Sequence, residues 1–136
     1  PWIYSAKKDT FVDMAAKNII DGRELKAVMD QHNVPIWVGD VVKGIMALLK
    51  GSAKRESGIY HIAPRVKKLS SRYDLACFIA KVLGRDRRLI KKVPSQGFYH
   101  IPRPWSATLA SSKLSARGDW QKALRRYIKS KYPIKN

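Results

Sequence analysis

Along the chain, about four stretches repeat their apolar residues at helical spacing, and short apolar runs of strand length lie between them. Trp2-Ile3-Tyr4 reads as the end of a core strand, followed by a polar turn over Ser5 to Asp9. Phe11, Met14, Ala15, Asn18 and Ile19 share one face of a helix over 10–21, which Asp9 or Thr10 caps and Asp21-Gly22 ends. Leu25 to Met29 is expected as a strand, Asp30 to Val34 as a connection and Pro35 to Val38 as a second extended piece. Pro35 has no amide hydrogen and restricts that piece to the edge or the start of a strand.

Val41, Val42, Ile45, Met46, Leu48 and Leu49 predict a second helix with Asp40 as its cap and Gly51 as its end. A charged loop over 51–58 leads to Ile59-Tyr60-His61-Ile62-Ala63, expected as a buried strand that Pro64 stops. Lys67-Lys68-Leu69 extends briefly before Ser70 or Ser71 caps a third helix, with Tyr73, Ala76, Cys77, Ile79, Ala80 and Leu83 inward and Gly84 at its end. An edge strand over Leu89 to Val93 follows, then an irregular stretch from Pro94 to Pro104 and an extended segment with a short turn from Trp105 to Leu114. Asp119 caps the last helix: Trp120, Ala123, Leu124, Tyr127 and Ile128 face inward, and Lys122, Arg125, Arg126, Lys129 and Lys131 face outward.

With 136 residues, 45% of them apolar, the chain is long enough for one modest core. Its single cysteine, Cys77, excludes an internal disulfide and is expected as a small buried residue among Leu75, Ala76, Phe78 and Ile79. No run approaches the ~18 apolar residues of a membrane span. The first residue is Pro1, in what reads as the middle of a strand, so a piece cut from something longer is expected.

Charge changes the picture more. The net charge is +18, and it is lopsided: residues 1–50 hold seven basic and six acidic side chains, residues 51–136 twenty-one and four. Attraction to a polyanion is the ordinary consequence of such a field. The exposed cations Arg87, Arg88, Lys91, Lys92, Arg125, Arg126 and Lys129 are candidate phosphate contacts for RNA. The bland alternative is a solvated face.

Candidate chemistry is thin. Tyr4 and Lys8, and again Tyr127 and Lys131, have the Tyr-x-x-x-Lys spacing that can lower a tyrosine's pKa for proton transfer to a carbonyl. So many tyrosines and lysines make chance matches common, and no Gly-rich phosphate-binding turn accompanies them, so no catalytic role is assigned. His32, His61 and His100 are far apart, without ligand partners at metal-binding spacing. Arg103-Pro104 is different: a guanidinium at the head of an extended segment can fork onto a pyrophosphate. The alternative, an arginine holding its own loop, weighs equally on sequence grounds.

An ordered set of short motifs is more specific. Trp2-Ile3-Tyr4, Phe11-Val12-x-Met14, Val28-x-Asp30-Gln31, Pro35 with Asp40-Val41-Val42, and Gly58-Ile59-Tyr60-His61 are followed by Ser71-x-Tyr73-Asp74-Leu75-Ala76. Arg103-Pro104-x-Ser106-x-x-Leu109-x-x-Ser112-Lys113-Leu114 and Asp119-Trp120-x-x-Ala123-Leu124 complete the order. Together they resemble the carboxy-terminal half of dTDP-4-dehydrorhamnose reductases, NADP-dependent enzymes of the extended short-chain dehydrogenase/reductase superfamily. The chain departs from that family at Asn33, Val34 and Ile36 around the first proline motif, and in a shorter linker before Asp119.

The resemblance implies an α/β fold: an incomplete Rossmann-type extended short-chain dehydrogenase, of which residues 1–136 are a single substrate lobe of short strands and about four helices. It also implies that Trp2, Gln31 and Arg103 border a dTDP-sugar site. The family's cofactor turn and catalytic residues lie upstream of Pro1, so NADP belongs to the complete family enzyme and no cofactor is expected on this chain alone. The partners implied are a Rossmann cofactor lobe or another protein chain, and a dTDP-sugar, with no membrane. A competing expectation makes the chain a reductase-derived basic module lying on RNA, in a ribonucleoprotein such as a ribosome. The expected location is cytoplasmic, or an organelle interior for an organellar ribonucleoprotein.

Overall fold

The computed structural model describes residues 2–51, 57–64, 69–99, 101, 103–114 and 118–133. Its elements in chain order are β1 (Trp2–Tyr4), α1 (Phe11–Ile20), β2 (Leu25–Val28), β3 (His32–Asn33), β4 (Pro35–Trp37), α2 (Val38–Leu49), β5 (Ser70–Ser71), α3 (Arg72–Val82), β6 (Ile90–Val93) and α4 (Trp120–Lys131), with a 3-10 turn over Arg87–Leu89 before β6. The fold is α/β.

The strands pair two by two. β1 runs parallel to β4 with Trp2 opposite Pro35, β2 runs parallel to β6 with Leu25 opposite Ile90, and β3 lies antiparallel to β5. Pro35 opens its strand, where a missing amide hydrogen costs nothing. α3 is the centre of the lobe, packing on α1, on α4 and across the β2–β6 pair. Its Leu75, Ala76, Ile79 and Ala80 are buried together with Ala15, Ala16 and Ile19 of α1 and with Leu124 and Ile128 of α4. Alanines at these positions let helix backbones come close without leaving a void.

The helix ends follow the local chemistry. Ser71 accepts from the Asp74 amide at 3.1 Å, and the Asp74 carboxylate accepts from the Ser71 amide at 3.0 Å, a reciprocal cap for α3. At the other end the Arg85 amide donates to Ala80 O at 2.9 Å, across Gly84 at φ 61°. A left-handed residue is needed there, and glycine takes that conformation without strain. Asp119 caps α4 by accepting from the Gln121 and Lys122 amides.

Several expectations are corrected. Residues 59–63 form no strand among the described residues, and Ile59 is 82% exposed; the described strands pair with one another and include no ladder to this segment. It crosses α2 instead at Gly44, where a Cβ would stand 2.8 Å from Ile62 Cγ2. Asp40 is not the cap of α2: the helix begins at Val38, and Asp40 sits in its first turn, 3.8 Å from Lys43 Nζ.

The apolar stripe of α2 faces outward, with Val42, Ile45, Met46 and Leu49 exposed and only Gly44 buried. On α1, Met14 is exposed while Asp13 is fully buried. Cys77 is half-buried rather than enclosed. The connection over 30–34 contains β3, which bridges to Ser106 as well as to β5. Lys67 and Lys68 lie outside the described residues.

Candidate functional site

Four segments distant in sequence meet around a cavity of about 230 Å³ lined by Trp2, Gln31, His32, Asn33, Arg72, Arg103, Pro104 and Ala107. β1 contributes Trp2, because β1 and β4 run side by side and the Trp2 amide donates to Val34 O at 3.0 Å. Gln31 precedes β3 and is buried. Its neighbour Asp30 is a fastener: the carboxylate accepts from the Ser95 amide at 3.0 Å and from its hydroxyl at 3.1 Å, tying the end of β2 to the segment beyond β6.

The segment after Arg103 is laid along β3. The His32 amide donates to Trp105 O at 2.7 Å, and the Ala107 amide donates to His32 O at 3.4 Å. These contacts hold Arg103 at the cavity, its guanidinium carbon 4.7 Å from the centre of the Tyr99 ring. The structure therefore brings together all three residues that the resemblance placed at a sugar-nucleotide site. Arg103 leans on its own loop and lines the cavity as well.

Sequence reasoning missed Arg72. It is the first residue of α3, directly after the capping Ser71, a position that by periodicity alone belongs to a solvated face. In the fold its guanidinium carbon lies 5.0 Å from the centre of the Trp2 ring and 4.7 Å from that of Phe11. Burial lowers the Arg72 pKa and so does the charge of Arg103, with Tyr99 acting in the opposite direction. No local pattern announces these contacts, since the rings come from β1 and α1.

The Tyr-x-x-x-Lys pairs are both structural in surroundings. Tyr4 is buried against Tyr127, and burial, with Asp40 adding to it, raises its pKa well above the tyrosine range. Lys8 is exposed. Lys131 Nζ lies 3.2 Å from the Tyr127 hydroxyl, but that hydroxyl donates to Asp13 at 2.7 Å, and burial together with this bond pushes its pKa up to about 12. Proton transfer would need the opposite shift.

Lys131 is thus corrected from the outer face of α4 to an ion pair with buried Asp13 at 2.9 Å. Burial would raise the Asp13 carboxyl, but hydrogen bonds from Lys131, Tyr127, the Thr10 backbone and Tyr132 outweigh it and hold the pKa at about 2.

The candidate phosphate contacts fall on three elements, the 3-10 turn, β6 and α4. Arg87 and Arg88 lie in the 3-10 turn and Lys91 and Lys92 on β6, all exposed, with Arg88 paired to Asp86 and Lys92 4.9 Å from the Tyr73 ring. Arg125, Arg126 and Lys129 are exposed on α4, and Arg125 lies 5.7 Å from the Phe78 ring. His61 is exposed with Nδ1 3.2 Å from Ala110 O, and His100 lies outside the described residues. Among the described residues no group of His, Cys, Asp or Glu could hold a metal ion, and no helix is long and apolar enough to cross a membrane.

β4 runs directly into α2, and a Cβ at Gly39 would run into the ring of Trp37.

The family model described as the RmlD substrate binding domain matches residues 1–132. The chain belongs to that family. A curated relative, a probable dTDP-4,6-dihydroxy-2-methyloxan-3-one 4-ketoreductase of Streptomyces antibioticus, is 27% identical over 91% of this chain and 43% of its own length.

Among solved structures, the dTDP-4-dehydrorhamnose reductase of Yersinia enterocolitica superposes with a TM-score of 0.77 at 26% identity, over 95% of this chain and 47% of that one. The reductase of Bacillus anthracis, solved in complex with NADP, gives 0.79 at 20% identity, over 95% and 45%. That of Clostridium acetobutylicum gives 0.80 at 21%, over 96% and 46%. At those two identities the likeness is one of fold. The chain spans less than half the length of the relatives it matches.

Proposed function

We propose that this chain is the sugar-nucleotide-binding lobe of a dTDP-4-dehydrorhamnose reductase-like enzyme, one that works jointly with a Rossmann cofactor lobe and binds no NADP by itself. The observation that carries the reading is the convergence of Trp2, Gln31 and Arg103 on one cavity. Each has a task suited to its chemistry. The Arg103 guanidinium takes the diphosphate, where charge-assisted forked hydrogen bonds are strong. The Trp2 ring offers a flat apolar wall to a sugar or base, and the Gln31 amide both donates and accepts toward hydroxyl groups. The cofactor lobe supplies the hydride donor; this chain binds and orients the sugar nucleotide.

The exposed stripe of α2 supports a partner lobe. Ile3 on β1 and Val42, Ile45, Met46 and Leu49 on α2 are apolar and uncovered, and β1 pairs on one side only among the described residues. An uncovered apolar patch beside a free strand edge is the mark of an interface. More than half the length of each relative lies outside the matched region, which is enough chain to cover it.

The alternative use of the fold, a basic module on RNA, rests on the exposed cations of the 3-10 turn, β6 and α4. None of the relatives named above is an RNA-binding protein by its description, so the sugar-nucleotide reading stands first. The test is a titration with dTDP-rhamnose of the chain and of Trp2→Ala and Arg103→Ala. Each lost charge-assisted contact at Arg103 is expected to weaken binding about ten- to a hundredfold. Unchanged affinity in both variants would remove the proposed site.

A further inference from the structure

We propose that Arg72 is a second anion-recognising residue of the cavity and that, with Arg103, it selects a diphosphate over a single phosphate. The proposal rests on the sugar-nucleotide reading for the identity of the ligand, though not for the existence of the anion site.

The arrangement of charge carries it. Several cations of the lobe have a carboxylate, as Arg23 has Asp21, Arg88 has Asp86 and Lys131 has Asp13, and those held only by a ring, such as Lys92 and Arg125, are exposed. Arg72 is half-buried, yet neither it nor Arg103 has an ion pair among the described residues. The nearest acid in sequence, Asp74, is committed to the Ser71 cap. A desolvated cation without a counter-charge is unfavourable, and ring faces offset only part of that loss.

Geometry makes the pair act as one. Tyr99 lies under the Arg103 guanidinium, and Arg72 and Arg103 line the same cavity, close enough for the charge of one to act on the other. The rings of Trp2 and Phe11, 5.0 and 4.7 Å from its guanidinium carbon, restrict the Arg72 side chain at the cavity. Two like charges held side by side repel, and an anion with phosphates at both guanidiniums relieves the repulsion where one phosphate satisfies one of them. A fork at each end of a diphosphate matches this layout.

The test uses inorganic pyrophosphate, inorganic phosphate and dTDP as probes of the full chain. Pyrophosphate is expected to bind at least about tenfold more tightly than phosphate, a preference of ~1.4 kcal/mol. Arg72→Gln is expected to abolish that preference, and Arg72→Lys, which keeps the charge without the fork, to retain part of it.

Because Arg72 is packed against rings, folding of each variant is checked by thermal melting. In the unmodified protein the side-chain Nε–H resonances of Arg72 and Arg103 are followed by NMR, where both are expected to shift with pyrophosphate. An Arg72 resonance that stays still, or a folded Arg72→Gln variant that keeps the preference, overturns the proposal. If dTDP binds no more tightly than pyrophosphate while both resonances shift, the anion site stands and the nucleotide reading fails. If dTDP binds tightly with Arg72 unmoved, the nucleotide reading stands and the Arg72 proposal fails.

Discussion

The Tyr127 hydroxyl on α4 donates to the carboxylate of Asp13 on α1 across 2.7 Å, joining residues more than a hundred positions apart in sequence. The same oxygen of Asp13 accepts from Lys131 at 2.9 Å and from the Tyr132 hydroxyl at 3.0 Å. The other carboxylate oxygen accepts from the Thr10 amide at 2.9 Å. The last helix is therefore fixed to the first by a buried charge whose partners are all supplied.

Removing that charge takes a buried acceptor from a cation and two phenols, of which Tyr127 retains Ser5 O and Lys131 retains Asp9, so Asp13→Ala is expected to cost roughly 3 kcal/mol in a urea unfolding experiment. The acid limb has a definite sign. The folded pKa of about 2 lies below the ordinary carboxylate value of about 4, so the contribution is complete above pH ~4 and is lost as pH falls from there toward 2. Asp13→Asn, measured alongside, is expected to lack that part of the acid decline.

Leu124 and Met14 are both apolar positions on helices, but their surroundings differ. Leu124 is fully buried, and Leu124→Ala is expected to cost about 3 kcal/mol; Met14 is 47% exposed, and Met14→Ala is expected to stay within about 0.5 kcal/mol. The two unfolding midpoints check the assignment of the inward face of α1 and α4.

Gly44 sets two effects against each other. Alanine in a helix interior would gain about 1 kcal/mol in propensity, but its methyl group would press on Ile62 at 2.8 Å, and overpacking costs about 1–3 kcal/mol. Net destabilisation is expected for Gly44→Ala. Adding Ile62→Ala is expected to relieve that loss, which a double-mutant cycle measures.

The α2 stripe behaves differently if it is an interface. Ile45→Lys and Leu49→Lys are expected to change unfolding stability by no more than about 0.5 kcal/mol, because both side chains are already exposed. They are expected to reduce self-association of the chain in light scattering and to weaken its binding to a cofactor lobe. A loss of several kcal/mol on unfolding would place those residues in the core instead.

How much of this was legible in the sequence depends on the range of the interaction. The helices at 11–20, 72–82 and 120–131, the Ser71 and Asp119 caps and the β6 strand follow from spacing within a few residues. The outward face of α2 did not follow, because its apolar pattern is that of a core helix and only the tertiary structure shows that nothing in the described lobe covers it. Residues 59–63 have strand composition but join no ladder among the described residues, and ladder pairing is set by the rest of the fold. Arg103 was found through its motif. Arg72 was not, because the rings that hold it, Phe11 and Trp2, are some sixty to seventy positions away.

Sugar-nucleotide binding in the cavity at Trp2, Gln31 and Arg103 is tested by a pair of titrations of the chain, with dTDP-rhamnose and with a structured RNA, each at low and moderate salt. Binding of dTDP-rhamnose is expected to survive moderate salt, and RNA binding to disappear there. RNA binding that persists with a slope of several released counterions, with no dTDP-rhamnose binding at either salt, would contradict the sugar-nucleotide reading.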